Sequence, residues 1–350
     1  MPIKKYATYQ EIISQPEAWT QALALTRTIQ LPNAKSYDQV IFTGCGSTYY
    51  LSLAAATLYQ ELTGRVAQAI PGGELLLNPR ASVGRIGNLP GKQDNIPLHP
   101  LLVAISRSGT TTETVKAVEK FKADNLGDVL AISNYDETLS RLADVSIVIP
   151  KGQETSVAQT RSFASMYVAV TAFVARMSGR NDLLDDMSLL PEIGERLIRD
   201  FEPDARQMGE NLDFDRFYFL GSGIRYGLAC EVNLKMKEMT LTHSEPFHFL
   251  EFRHGPMSMV NEKAVVVGLL SESNFSHEKA VLNEMQALGG KIVGLGESGA
   301  DIAFKSGLPE SVHGVLYLPV LQLMAFYRSL AKGLNPDRPT NLTAVVKLDL

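Results

Sequence analysis

Short aliphatic runs alternate along this chain with stretches whose apolar residues recur every three or four positions. Residues 39–43 (QVIFT), apolar at Val40, Ile41 and Phe42, read as a buried strand. A turn of small residues follows, then a helical pattern through Leu51, Ala54, Ala55 and Leu58 that Gly64 ends. Residues 66–70, 101–105, 129–132 and 145–149 are the next predicted strands. After Ser108 the period changes again. Thr110 and Glu113 are spaced as a capping box, and Val115, Val118 and Phe121 fall on one helical face. A further helix is predicted to begin near Ser162.

The second half repeats the plan. Residues 216–220 lead into Gly221-Ser222-Gly223 and a long helix, as residues 40–43 lead into Gly44-Cys45-Gly46. Residues 264–270 precede Glu272-Ser273-Asn274 and a helix with Val281, Met285 and Leu288 on one face, and residues 291–295 make the following strand. Strands alternating with helices imply parallel sheets covered on both faces. The predicted fold class is therefore α/β: two duplicated subdomains, each a doubly wound parallel sheet flanked by helices. Expected boundaries are 1–178 for the first unit with an N-terminal helix, 179–215 for an acidic helical connection, and 216–350 for the second unit with a C-terminal tail. Residues 71–98, rich in Gly, Pro and Asn, read as an irregular surface insertion.

Composition narrows the function classes. At 350 residues, 45% hydrophobic and 20% charged, the chain has an ordinary globular make-up and room for a large core. A net charge of −5 without a basic run argues against nucleic-acid partners, so an anionic ligand needs local positive potential. The first residues lack the apolar core of a signal peptide, and no run of about 18 apolar residues calls for a membrane. Two cysteines, Cys45 and Cys230, make no disulfide framework and have no metal-ligand spacing. A cytoplasmic enzyme or binding protein is the expectation.

Three segments carry candidate chemistry. Ser106-Arg107-Ser108-Gly109-Thr110-Thr111 lies between a strand and a helix N-terminus, where unpaired amides and the helix dipole attract an anion. Gly44-Cys45-Gly46-Ser47-Thr48 occupies the same kind of position one strand earlier. It lacks the third glycine of a dinucleotide fingerprint, and no Gly-Lys-Ser/Thr triplet marks a nucleotide loop. Two such turns at strand ends are where open α/β sheets bind ligands. On the long second-half helix, Leu228, Val232, Met236 and Met239 make an apolar stripe edged by Glu231, Lys235 and Glu238. The bland reading is an exposed Glu231–Lys235 pair with Glu238 solvated. His254-Gly255-Pro256 forms a sharp turn sixteen residues beyond Glu238. A polar loop, residues 153–161 (QETSVAQTR), suits hydroxyl recognition or a plain capped linker.

With these motifs in order, and with Glu251-Phe252-Arg253-His254-Gly255-Pro256 and Asp337-Arg338-Pro339-Thr340-Asn341-Leu342 near the end, the chain resembles the sugar isomerase (SIS) family over nearly its full length. It is most similar to the isomerase half of glucosamine-6-phosphate synthase and to free-standing glucosamine-6-phosphate deaminases. The resemblance implies that Thr48, Ser106, Arg107, Ser108 and Thr111 hold the substrate phosphate, while Gly46, Ser47, Val157 and Gln159 line the sugar. It further implies that Glu238 shuttles a proton between C1 and C2, that Lys235 supports the hydroxyls and the enediolate, and that His254 of a neighbouring subunit assists ring opening in a homodimer. No metal or nucleotide cofactor is implied.

Two departures stand out. No glutamine amidotransferase domain accompanies the motifs, so glutamine is not the expected ammonia source. The family's C-terminal lysine matches Ala344 here, and Lys347, three residues on, points to the opposite face of an extended tail. The expectation is an aminosugar-phosphate deaminase/isomerase acting on a hexosamine 6-phosphate. Two alternatives are a deglycase for a phosphorylated sugar–amine adduct and a non-catalytic phosphosugar-binding regulator, though no helix-turn-helix precedes the SIS region.

Overall fold

The computed structural model describes residues 3–79 and 99–348. Its first sheet contains β1 (Gln39–Gly44), β2 (Ala67–Pro71), β3 (Pro100–Ser106), β4 (Asp128–Ser133) and β5 (Val145–Val148), all parallel, in the order β2-β1-β3-β4-β5. The second contains β6 (Arg216–Gly221), β7 (His243–Phe247), β8 (Ala264–Leu269), β9 (Lys291–Gly296) and β10 (Ile302–Ala303), also parallel, in the order β10-β9-β8-β6-β7. Read from its edge, the second sheet has the strand order of the first. The turn after each opening strand is the same too: Gly46 has φ 57, ψ −123 and Gly223 has φ 57, ψ −133. The duplication read from the sequence is present in the backbone.

Alternate residues of the strands go to different cores. Val40 and Phe42 of β1, and Phe217 and Phe219 of β6, face one continuous cluster shared by both sheets. Ile41 packs outward with Val115, Val118 and Phe121, and Tyr218 outward with Val281, Leu282 and Met285. Burial on both faces explains why these strands read as unbroken apolar runs. The shared cluster also takes in α1 (Ser47–Thr63), which follows β1, and α2 (Ile224–Thr240), which follows β6. They meet closely at Gly227, where an added methyl would lie 2.5 Å from the Tyr50 carbonyl oxygen and 2.8 Å from the Ala54 nitrogen. The segment 313–331 is long and apolar enough to cross a membrane, but 89% of it is buried in this core.

Three local expectations are corrected. No capping box forms: Thr111 is the N-cap of α3 (Thr112–Ala123) and makes no side-chain cap bond, because Gly109, at φ 69, turns the chain so that Thr110 bonds back to Ser108. The stripe Val281, Met285, Leu288 loses its last member, since that helix stops at Ala287 and Leu288 is exposed. Of the proposed insertion, Pro71 ends β2 and Gly72–Leu77 is helical; residues 80–98 lie outside the described residues.

Candidate functional site

The strand order of the first sheet reverses between β1 and β3, so the loops leaving these two strands diverge and open a crevice at their carboxyl ends. Both turns singled out in the sequence sit there. Gly44 is needed at the first: a Cβ would lie 2.5 Å from Thr48 Oγ1, which instead accepts a 2.9 Å bond from the Cys45 amide and donates to the Cys45 carbonyl at 3.0 Å. The Thr48 hydroxyl is thus committed to shaping the turn. In the second turn Ser106 Oγ accepts from the Gly109 amide at 3.2 Å and lies 3.3 Å from Thr111 Oγ1, while Ser108 Oγ accepts from the Thr110 amide at 3.2 Å.

A cavity of about 170 Å³ lies between these turns, lined among others by Gly46, Ser47, Arg107, Thr111, Glu113, Val157, Gln159 and Glu238. Thr48, Ser106 and Ser108 are not part of that lining. The C-terminal tail closes another side through Leu342, Thr343, Ala344, Val345 and Val346. Larger cavities, of about 460 and 440 Å³, lie elsewhere, and neither is lined by any of the predicted site residues.

Arg107 does not present its guanidinium freely to the crevice. It donates to the carbonyls of Ser156 (3.3 Å), Val157 (2.9 Å) and Ala344 (2.5 Å), and lies 3.8 Å from the buried carboxylate of Glu154. The tail is therefore pinned to the 153–160 loop by one side chain. That loop is itself held from behind: Glu11 accepts from the Thr155 amide at 2.7 Å, and the Val157 amide donates to the Asp337 carbonyl at 3.1 Å.

From the other subdomain, α2 brings its charged edge to the cavity. Its apolar stripe (Leu228, Val232, Met236, Met239) is buried as the pattern requires, and so are its charges. Lys235 is 1% exposed; its Nζ donates to Glu238 Oε2 at 2.5 Å and to Ser47 Oγ at 3.1 Å, and lies 3.3 Å from Glu231 Oε1. The surface-pair reading of Glu231 and Lys235 is thereby overturned. Complete burial, only partly offset by Lys235, pushes the Glu231 carboxyl up to about 8. Burial works against the Lys235 ammonium as well, but the two carboxylates outweigh it and hold its pKa above the ordinary lysine range. Lys235 therefore remains charged, and its shortest contact is the one to Glu238.

His254 lies apart. It caps a one-turn helix, Glu251–Arg253, is exposed, and does not line the cavity of its own chain. Two site residues went unread as such in the sequence. Glu231 had a signal, its spacing of four from Lys235 along a buried stripe. Glu113 had the spacing of a capping residue, which concealed a carboxylate directed at the cavity.

Comparisons with known proteins agree with this geometry. The SIS domain family model matches residues 93–176 and 213–326, one segment in each sheet. Glutamine–fructose-6-phosphate aminotransferases (isomerizing) from Methanothermobacter thermautotrophicus and Pyrococcus horikoshii are 28% and 29% identical over 97% of this chain. The chain spans only 57% of the length of either relative. A glucosamine-6-phosphate deaminase structure from Thermotoga maritima superposes with TM-score 0.78 and 25% identity, covering 98% of this chain and 100% of that one. A tagatose-6-phosphate ketose/aldose isomerase from Escherichia coli gives 0.75 at 22% identity, with 100% and 98% covered, a likeness of fold. With the family model matching both sheets and more than half of the chain, the protein belongs to the SIS domain family.

Proposed function

We propose that this chain is an aminosugar-phosphate isomerase/deaminase, converting a hexosamine 6-phosphate to the ketose 6-phosphate and ammonia. The observation that carries the reading is the buried Lys235–Glu238 contact of 2.5 Å, anchored on Ser47 at the mouth of a sugar-sized cavity between two strand-end turns. In this reading the phosphate rests at the N-terminus of α3 beside Thr111, where the first amides of the helix are free to donate. Glu238 removes the C2 proton of the open-chain sugar and returns it to C1. Lys235 stabilises the negative charge on the C1 oxygen between these steps. The product carries an imine at C2; water adds to that carbon, ammonia leaves, and the ketose remains.

His254, exposed and outside its own cavity, fits donation to the cavity of a second copy, and a homodimer is part of the proposal. The deglycase reading is less well supported. A cavity of about 170 Å³ is small beside the ~300–1,000 Å³ of pockets for drug-sized ligands and suits a single sugar better than a sugar–amine adduct.

The test is incubation with glucosamine 6-phosphate, following ammonia and fructose 6-phosphate together. Equimolar release is expected, with turnover falling by about 10²- to 10⁴-fold in Glu238→Gln while phosphosugar binding persists. A Glu238→Gln enzyme working at the wild-type rate would refute the mechanism. Tight binding without product would instead favour a phosphosugar-sensing role.

A further inference from the structure

The cavity contains an unmatched negative charge. Of its two neighbouring cations, Arg107 lies against buried Glu154 and spends its donors on three carbonyls, and Lys235 is joined to Glu238. Glu113 also lines the cavity, yet its carboxylate makes no ion pair among the described residues, and its Oε2 atom is buried without a hydrogen-bond partner. Gln159, on the same lining, likewise has a buried Oε1 without a partner. Buried acceptors left empty forfeit their hydration without compensation, the more so when charged, so such groups are ordinarily satisfied. Two empty acceptors on one small cavity, one of them charged, call for a ligand that brings donors and positive charge.

This argument rests on the proposed function and sharpens it. A neutral sugar phosphate would add only negative charge to a cavity whose own cations are already matched. A 2-amino-2-deoxyhexose 6-phosphate is different: its ammonium supplies the missing cation and its N–H groups the missing donors. We propose that Glu113 is the specificity-determining residue that reads the substrate's amino group, with Gln159 Oε1 as a second acceptor. A carboxylate in the first turn of α3 also favours the helix dipole, which is the structural role to be told apart.

The experiment compares three probes by calorimetry on the full chain: glucosamine 6-phosphate, its N-acetyl derivative, which keeps the phosphate but loses the charge, and glucose 6-phosphate. Wild type is expected to bind the amine tighter by about 10- to 100-fold, the range of a charge-assisted hydrogen bond. Glu113→Gln should lose that preference while keeping its affinity for glucose 6-phosphate. A merely structural role would lower stability and leave the ratio of affinities unchanged. The proposal is overturned if Glu113→Gln retains the preference, or if wild type binds all three alike, a result that needs no variant to fold. Absence of binding by every probe would remove the phosphosugar reading itself, and this inference with it.

Discussion

Arg107→Ala separates two roles that the sequence alone cannot. The family resemblance places Arg107 on the phosphate, whereas the geometry has it pinning the C-terminal tail. The substitution removes the donors to Ser156, Val157 and Ala344 and takes away the cation 3.8 Å from Glu154. Breaking a buried ion pair costs about 3–5 kcal/mol. Bonds from a charged donor contribute about 1.5–3 kcal/mol each, but those sharing one guanidinium do not add. Glu154 keeps bonds from the Thr160 amide (2.8 Å), the Thr160 hydroxyl (2.7 Å) and the Ser162 hydroxyl, which lowers the penalty for losing its partner. A loss of about 3 kcal/mol follows, on the order of 4 °C in melting temperature at about 1.4 °C per kcal/mol, from an unfolding entropy of about 2.1 cal/mol/K per residue.

The loss should be local as well as global. Beyond Ala344 the tail is tied back by the Leu348 amide to Thr112 Oγ1 at 3.1 Å, so hydrogen exchange at that amide should rise in the variant. Affinity for inorganic phosphate should change little. Arg107→Lys keeps the charge without the planar fork and should resemble the alanine variant in tail exchange. The reasoning fails if Arg107→Ala leaves tail exchange and urea midpoint at wild-type values but abolishes phosphate binding.

Two further perturbations address the core around the site. Burial raises the folded-state pKa of Glu231 from 4.5 to about 8, so its neutral form is the one that fits. The stability this provides is fully present below about pH 4.5 and is lost as pH rises through 8. Wild type should therefore lose stability relative to Glu231→Gln across that window, and a constant difference in melting temperature from pH 5 to pH 9 would contradict the assignment. Gly227→Ala should destabilise by about 1–3 kcal/mol despite the better helix propensity of alanine, because the methyl meets the α1 backbone at 2.5 Å. An unchanged urea midpoint would show that the two helices can separate at little cost.

Most of the fold was legible because parallel strands buried on both faces announce themselves as apolar runs, and the repeat of strand, glycine turn and helix exposed the duplication. The edge strand His243–Phe247 escaped that reading. It has no unbroken apolar run, contains Pro246, and among the described residues pairs only with β6. The residue types of the site were equally legible: hydroxyls and glycines at two strand ends, and Lys235 with Glu238 on one edge of a helix.

What the sequence by itself determined was the set of elements and the chemistry available at their ends, since both follow from local periodicity and composition. Only the tertiary structure decided which groups remain free to act. Glu231 and Lys235 have the spacing of an ordinary surface pair, and packing of α2 against α1 is what buries them. Arg107 is written into a phosphate-like loop, but the Ser156 and Val157 carbonyls and the tail, more than 230 residues later, take its donors. Glu113 has the spacing of a cap, and the turn at Gly109 moves the helix start so that its carboxylate reaches the cavity instead. The first two outcomes depend on contacts between distant parts of the chain, which no local pattern encodes.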